Sequence, residues 1–429
     1  MTMQDRILNL FLNSSGIFID SRRSVPNGIF FAFRGEKVNG ARFAKDVLQN
    51  GALCAIVDDK AFADIEGVIL VDDVLESLQE LARNYRKQLN MPIVAITGSN
   101  GKTTTKELLF ETFSTCFKTF CTQGNYNNHI GVPLTVLSIP QDAEIAIVEM
   151  GANHIGEISF LCEIAQPTHG YITNIGKAHL EGFGSVQGVL KAKLELFDYL
   201  DSHQGTLFLN TDDPLLRSKS GDYNNMVEVN GNNLPDPWSF HSEESLPELM
   251  LSFSYQDRVI ICRTSLIGKY NISNITAALF IAGYLGCDFE KGIRAVEQFV
   301  PDNNRSAYKN SKGFHFIMDA YNANPTSMKS AIEHFALLDV QPKVLILGDM
   351  FELGEGSVSE HQALIDFIQT FEWHRVLLVG QIFARCNYHS YNCTTSLEDA
   401  KRWIQTELTT DTWILLKGSR GMRLEQLVE

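Results

Sequence analysis

The chain lacks several features that would assign it to a large class of proteins. No apolar run approaches the roughly 20 residues needed to cross a bilayer. The eight cysteines, at 54, 116, 121, 162, 262, 287, 386 and 393, include no C-x-x-C pair and no Cys/His cluster at zinc spacing. They are expected to be buried thiols in a reducing compartment. Positive charge is scarce: 36 Lys and Arg against 51 Asp and Glu leave a formal charge of −15, which argues against nucleic acid or an anionic membrane as a partner. The first ten residues carry Asp5 where a secretory leader would want the opposite sign, and no small-residue cleavage site follows. A cytoplasmic protein without membrane insertion is expected. Length, 429 residues, suggests about three domains, and 44% hydrophobic with 20% charged residues is an ordinary globular composition.

What the chain does have is a strand–loop–helix signature. The apolar run Met91-Pro-Ile-Val-Ala-Ile-Thr97 leads into Gly98-Ser-Asn-Gly-Lys-Thr-Thr104 and then a helical pattern. Glycines at 98 and 101 let the backbone fold tightly, so that N–H groups and a helix N-terminus face one anion. Lys102 then neutralises charge and the Thr103 hydroxyl can ligate Mg²⁺. Ile96 stands where the longer form of this consensus has its first glycine, so only the shorter G-x-x-G-K-T form is present. The stretch reads as a nucleoside triphosphate site.

The surrounding patterns divide the chain into 1–89, 90–299 and 300–429. The first unit carries β-like runs at 16–20, 28–33, 52–57 and 68–71 with helical patterns at about 41–50 and 73–88, a small α/β unit. In the second, apolar strands end in polar residues: 145–148 runs into Glu149 and 170–173 into Asn174 and His179. Ligands of an open parallel sheet bind beyond its carboxyl edge, so Lys102, Glu149 and His179 should meet there. Short β-like pieces follow over 205–268, then a helix at 273–285 and a linker at 300–305. Strands at 314–318, 344–347, 376–379 and 413–416 alternate with helices at about 326–338, 357–371 and 396–408, predicting a doubly wound, Rossmann-like third unit.

Taken singly, the polar residues leave alternatives open. Glu149 is either an Mg²⁺ ligand or a surface carboxylate at a strand end. Arg22 and Arg34 follow strand ends of the first unit, as ligand contacts or as solvated arginines. Lys191 and Lys193 resemble the wet face of an amphipathic helix, and a lone His179 carries no role by itself. The segment Asp319-Ala-Tyr-Asn-Ala-Asn-Pro325 suits a ribose or phosphate edge, and equally a structural turn.

Seven segments taken in order resolve much of this. Gly98–Thr104, Asn125-Tyr-Asn-Asn-His-Ile-Gly-Val-Pro-Leu134, Glu149-Met-Gly-Ala-Asn-His-Ile-Gly-Glu157, Thr173-Asn-Ile-Gly-Lys-Ala-His-Leu-Glu181, Asp319–Pro325, Leu347-Gly-Asp-Met350 and Lys417-Gly-Ser-Arg420 resemble the Mur ligases of peptidoglycan synthesis. Within that family the Asp319 and Leu347 motifs are similar to the branch that adds D-alanyl-D-alanine. Folylpolyglutamate synthases share the core but not a uridine-nucleotide domain such as residues 1–89, with Asp20-Ser21-Arg22, resemble.

The resemblance implies three α/β domains: a first binding a UDP-N-acetylmuramoyl group, a central P-loop ATPase-like one with a parallel sheet, and a third taking the incoming dipeptide. It implies that Gly98, Ser99, Asn100, Gly101, Lys102, Thr103 and Thr104 hold ATP phosphates, and that Asn271, Asn274, Arg305, Asp319, Tyr321 and Asn322 contact the rest of the nucleotide. Thr103 and Glu149 would hold one Mg²⁺, and His179 with a carbamylated Lys193 a second. Ser21, Arg22, Asn125, Asn127, Asn128, Lys417 and Arg420 would bind substrate. The implied reaction joins D-alanyl-D-alanine to UDP-N-acetylmuramoyl-tripeptide through an acyl phosphate, with Lys102, Glu149, His179 and Lys193 as catalytic residues and closure about hinges near 90 and 300. Tyr270 where the family usually has His, Ala95 where it has Gly and Leu194 where it more often has Gly are departures. Two rival expectations are a ligase of the same family adding another amino acid and a P-loop switch that hydrolyses ATP to change partners.

Overall fold

A computed structural model describes residues 2–230, 238–244, 247–255, 258–301, 307–319 and 322–428. Arg305 and Tyr321, both expected at the nucleotide, lie outside the described residues. The first sheet is β1 (Ile17–Phe18), β2 (Ile29–Phe31), β3 (Cys54–Val57) and β4 (Val68–Leu70), paired in that order and parallel throughout. Its residues alternate between two faces as a pleat requires. Ile29 and Phe31 enter a core with Leu78 and Leu81 of the helix Val74–Arg86, whereas Phe30 packs on Phe18, Ala44 and Val47.

The second sheet comprises β5 (Ile93–Thr97), β6 (Thr119–Cys121), β7 (Ile145–Glu149), β8 (His169–Ile172), β9 (Thr206–Asn210) and β10 (Met226–Val229). Its order is β10-β9-β8-β5-β7-β6, all parallel. The central strands are fully buried, which is why they read as unbroken apolar runs. Chain order reverses on either side of β5, and the Gly98–Thr104 loop leaves its carboxyl end at that switch point. Three antiparallel strands, β11 (Trp238–Glu244), β12 (Glu248–Tyr255) and β13 (Arg258–Ile267), then pack against the helix Phe289–Gln298.

The third sheet contains β14 (Ala307–Ser311), β15 (Phe314–Asp319), β16 (Lys343–Gly348), β17 (Arg375–Val379), β18 (Asn392–Thr394) and β19 (Trp413–Lys417), ordered β14-β15-β19-β16-β17-β18. It is mixed rather than purely doubly wound, because β14 is antiparallel to β15. Lys312 and Gly313 between them both have positive φ, at 51° and 80°, the backbone of a two-residue hairpin turn.

The expected hinge near residue 90 is not what this boundary looks like. Helix Val74–Arg86 shares one core with the second unit, and its side chains cross the boundary in buried hydrogen bonds. Arg86 donates from Nε to the Ala165 carbonyl at 2.9 Å, from Nη1 to Leu89 and from Nη2 to Gln166 at 3.0 Å, and Tyr85 donates to the Ile139 carbonyl at 2.7 Å. Opening here would strip partners from buried polar groups, each costing about 1–3 kcal/mol.

Two further expectations need correction. Lys193 is not on a wet face: it is 1% exposed, whereas Lys191 two residues earlier is exposed. Nor are all cysteines buried, since Cys116 is exposed and Cys393 partly so, although all eight are free thiols. Among the described residues no helix is long and apolar enough to cross a membrane.

Candidate active site

The Gly98–Thr104 loop is held open by residues that leave no room for side chains. Gly98 has φ 143°, and a Cβ there would lie 1.9 Å from Thr173 Oγ1. Gly101 has φ 79°, and its Cβ would lie 2.5 Å from Asn274 Oδ1. The loop is stitched to the end of β8: Ser99 N–H donates to the Asn174 carbonyl, Asn100 N–H to Asn174 Oδ1 at 3.0 Å, and Thr173 Oγ1 to the Asn100 carbonyl at 2.5 Å. Lys102, first residue of the helix Lys102–Ser114, lays Nζ back on the Gly98 carbonyl at 2.7 Å. A loop of this shape with its ammonium curled into the nest accepts a phosphate by exchanging carbonyl contacts for phosphate oxygens.

Glu149 ends β7 with a buried side chain, 2% exposed. Its Oε2 accepts from Thr103 Oγ1 and its Oε1 from Asn127 Nδ2, both at 2.8 Å. One carboxylate and one hydroxyl beside a phosphate-binding loop is the donor set Mg²⁺ takes with a nucleotide, where phosphate oxygens and water complete the shell. Among the described residues no three His, Cys, Asp or Glu are grouped so as to hold a metal ion.

His179 and Lys193 converge on the Phe183 ring, His179 edge-on at 6.4 Å between centroids and Lys193 Nζ at 5.3 Å over the face. Burial, reinforced by the charge of Lys102, pushes the Lys193 ammonium down to about 7 against the pull of Glu157 and Glu195. Neither carboxylate reaches it: Glu195 is engaged by the N–H groups of Gly156 and Ser159, and Glu157 by those of Asn153 and His154. His179 Nδ1 stands 2.6 Å from Glu352 Oε2 of the third unit, in an ion-pair contact without the alignment of a full hydrogen bond. That contact, followed by the nearby charges, holds the Glu352 carboxyl below its ordinary value against its burial. An imidazole beside an unmodified lysine does not by itself hold a dication; the pair would fit one only if Lys193 carried an anionic group.

The remaining expected residues fall into separate groups. Asn271 and Asn274 are buried behind the loop in a relay: Thr105 Oγ1 donates to Asn274 Oδ1, Asn274 Nδ2 to Asn271 Oδ1, and Asn271 Nδ2 to the Ile267 carbonyl. They buttress Gly101 rather than face an open site. Asp319 and Lys417 close the carboxyl ends of β15 and β19, Nζ to Oδ2 at 2.5 Å, and Lys417 also reaches the carbonyl of the exposed Asn322. Asn128 Oδ1 accepts from the N–H groups of Ile130 and Gly131 at a helix start. Asn125 and Arg420 both line a cleft of about 510 Å³, together with Thr103, Glu107 and Val300. Ser21 and Arg22 lie apart, in a short helical turn of the first unit, with Arg22 paired to Asp20 at the surface.

Sequence reasoning missed the residues that tie the third unit to the loop. Asn324 Nδ2 donates to Asn100 Oδ1 at 2.7 Å, Lys177 N–H donates to Thr326 Oγ1 at 3.0 Å, and Lys177 Nζ pairs with Glu360 at 2.5 Å. Asn324 sits inside the Asp319 motif and Glu352 two residues past the Leu347 motif, but nothing in either segment marks them as contacts to another unit.

Comparison with known proteins bears on the whole chain. Family models match in three consecutive stretches: the Mur ligase family catalytic domain over 13–86, the Mur ligase middle domain over 96–282, and the Mur ligase glutamate ligase domain over 304–420. A protein of Bacillus subtilis named UDP-N-acetylmuramoyl-tripeptide--D-alanyl-D-alanine ligase is 33% identical, covering 96% of this chain and 92% of its own. The chain belongs to the Mur ligase family. The Escherichia coli protein of the same name is 31% identical over 95% of this Mur ligase and 92% of its own length. Among solved structures, MurF from Acinetobacter baumannii superposes with TM-score 0.83 at 30% identity, covering 96% of this chain and 92% of that one. MurF ligase from Thermotoga maritima in complex with ADP gives TM-score 0.85 at 25% identity, with 98% and 97% covered.

In this Mur ligase the loop should tolerate no side chain at 101. Gly101→Ala places a Cβ on Asn274 and strains a left-handed backbone. Calorimetry with ADP should show affinity down by about tenfold or more while the chain stays folded, since misplacing a nest of N–H groups costs at least one charge-assisted hydrogen bond of roughly 1.5–3 kcal/mol.

Proposed function

We propose that this Mur ligase is an ATP-dependent amide ligase that joins D-alanyl-D-alanine to UDP-N-acetylmuramoyl-tripeptide in peptidoglycan synthesis. The observation that carries the reading is near-full-length similarity to proteins of that name, at 33% and 31% identity, laid over a phosphate-binding loop with its Thr–Glu pair.

The chemistry follows from the groups present. A carboxylate is a poor electrophile at neutral pH, so the substrate carboxylate attacks the γ-phosphorus of ATP, the bond to the β-phosphate oxygen breaks and ADP leaves. The amine of the dipeptide then attacks the acyl phosphate carbon, loses a proton and expels inorganic phosphate. Two anions meet in the first step. Lys102 and the N–H groups of the loop neutralise and orient the γ-phosphate, which is electrostatic and positional catalysis. Thr103 and Glu149 would hold one Mg²⁺ beside that phosphate, and His179 with a carbamylated Lys193 a second, supplying Lewis-acid charge at the transferring group. The cleft between Thr103, Asn125 and Arg420 receives the reacting peptide ends, while the first unit with Ser21 and Arg22 carries the uridine nucleotide. Apposition of the third unit excludes water from the acyl phosphate.

Mass spectrometry of the product tests the substrate assignment. With UDP-muramoyl-tripeptide, ATP and D-alanyl-D-alanine, a pentapeptide product and equimolar ADP are expected, with no ADP formed when the muramoyl substrate is withheld and no sustained ADP turnover when the dipeptide is withheld. A product with a single amino acid would shift the assignment to another ligase of the family. ADP release without any acceptor would identify a P-loop switch instead.

A further inference from the structure

The contact between His179 and Glu352 joins two units through residues that are both conformationally unusual. His179 has φ 49° and Glu352 φ 63°, left-handed backbone that non-glycine residues seldom adopt. Each is fixed by its own surroundings. Glu181 N–H donates to the Glu352 carbonyl at 3.3 Å, so the backbones meet as well as the side chains. Gly354 also packs directly on Glu181, where an added Cβ would lie 3.3 Å from Cα.

The turn that presents Glu352 is rigidly framed. The Asp349 carboxylate accepts from the N–H groups of Ile382 and Phe383 at 2.9 and 3.0 Å, and Ser419 N–H donates to the Asp349 carbonyl. Met350 N–H donates to His361 Nε2 at 2.9 Å while His361 Nδ1 faces the Ser357 carbonyl, which assigns that imidazole as neutral. Phe351 N–H donates to Ser419 Oγ at 2.9 Å. A carboxylate at the end of such a frame is delivered to one place. Its energy as an ion pair is small, because Glu352 is 53% exposed and solvent screens pairs at that exposure. Orientation is therefore what the contact provides.

We infer that Glu352 is a positioning residue: it receives His179 Nδ1 and leaves Nε2 as the ring nitrogen presented to the metal, so that the third unit completes a ligand carried by the second. Outer partners of ligating histidines set ring orientation and tautomer in this way. The same seam carries the Asn324–Asn100 and Lys177–Glu360 contacts, so docking the third unit sets the phosphate loop and the imidazole together. The inference rests on the assignment of His179 to a metal, proposed above.

The test reads the ligand directly rather than turnover. Full-length protein labelled with ¹⁵N-histidine is loaded with Mn²⁺ and the β,γ-imido analogue of ATP in bicarbonate buffer, and electron spin-echo modulation reports nitrogen coupling to Mn²⁺. Wild type should show coupling that H179A lacks. E352A should lose most of it, E352Q should keep it because its amide places an oxygen where the carboxylate oxygen faces Nδ1, and both should bind the analogue normally, which certifies folding. Turnover of E352A should fall by about 10–100-fold, in kcat more than in KM for ATP. Undiminished coupling in E352A would overturn the positioning role, and so would retained coupling with weakened Mn²⁺ binding, which would make Glu352 a ligand itself. No histidine coupling in wild type would overturn the His179 assignment and the role together. None of these outcomes touches the identity of the dipeptide, which the product assay decides.

Discussion

Lys102→Ala and Glu149→Ala should each lower amide formation by about 10³-fold or more, with little change in the urea unfolding midpoint for Lys102→Ala. The two act on different charges. Lys102 spans the loop from Nζ to the Gly98 carbonyl, so its loss removes a cation from the nest and leaves the backbone frame, fixed by Thr173 and Asn174, intact. Glu149 is buried with Thr103 and Asn127 as hydrogen-bond donors, so truncation to Ala also strands those two groups, and some stability is lost. Glu149→Gln separates the effects: it keeps the shape and an acceptor but removes the charge that attracts a dication. Turnover should fall nearly as far with Gln as with Ala, while most of the stability returns. Measuring ADP formation and product by chromatography alongside urea denaturation distinguishes these outcomes. Near-normal turnover in Lys102→Ala or Glu149→Gln would remove the γ-phosphate role from this loop.

The features that could be read in the sequence were those written in local chemistry. The strand–glycine–lysine–helix order fixes a phosphate loop because glycine is required where φ is positive and lysine where the helix begins. The parallel sheet was legible because β5 and β7 are buried on both faces and therefore apolar throughout. Features set by distant partners were not. Lys193 sits on a helical face that periodicity assigns to solvent, and it is buried by Phe183, in a four-residue helix inserted before its own. The antiparallel β14 is specified by a hairpin turn at Lys312-Gly313 with no hydrophobic signal, since its residues are only partly buried or exposed. The interunit contacts of Asn324 and Glu352 depend on how two sheets are brought together, and no spacing within either unit encodes that.

Lys193 should prove costly to stability and indispensable to turnover. Its Nζ is buried, lies over an aromatic ring, and has no carboxylate in contact, an arrangement that disfavours the ammonium. The sign follows from the direction of the shift. With the folded value near 7 and the unfolded value near 10.5, the unfolded chain binds more protons between these limits, so stability contributed by this position rises with pH across that window. Below pH 7 the buried charge imposes its full cost. Lys193→Met should therefore raise the urea-unfolding free energy by on the order of 2–4 kcal/mol at pH 6 in CO₂-free buffer, and the gain should shrink toward pH 10. A neutral amine is also the form that adds to CO₂: its nitrogen forms a C–N bond, a proton leaves to solvent, and a carbamate anion remains. That anion suits a dication beside His179 far better than an ammonium does. Activity should accordingly fall by about 10²-fold or more in Lys193→Met, decline in wild type after exhaustive CO₂ removal and return with bicarbonate. Adding a short carboxylic acid to Lys193→Ala should restore part of the rate, because the acid can occupy the vacated space and supply the missing anion. Full activity in CO₂-free wild type, with no gain in stability for Lys193→Met, would mean that the ammonium itself is the working form.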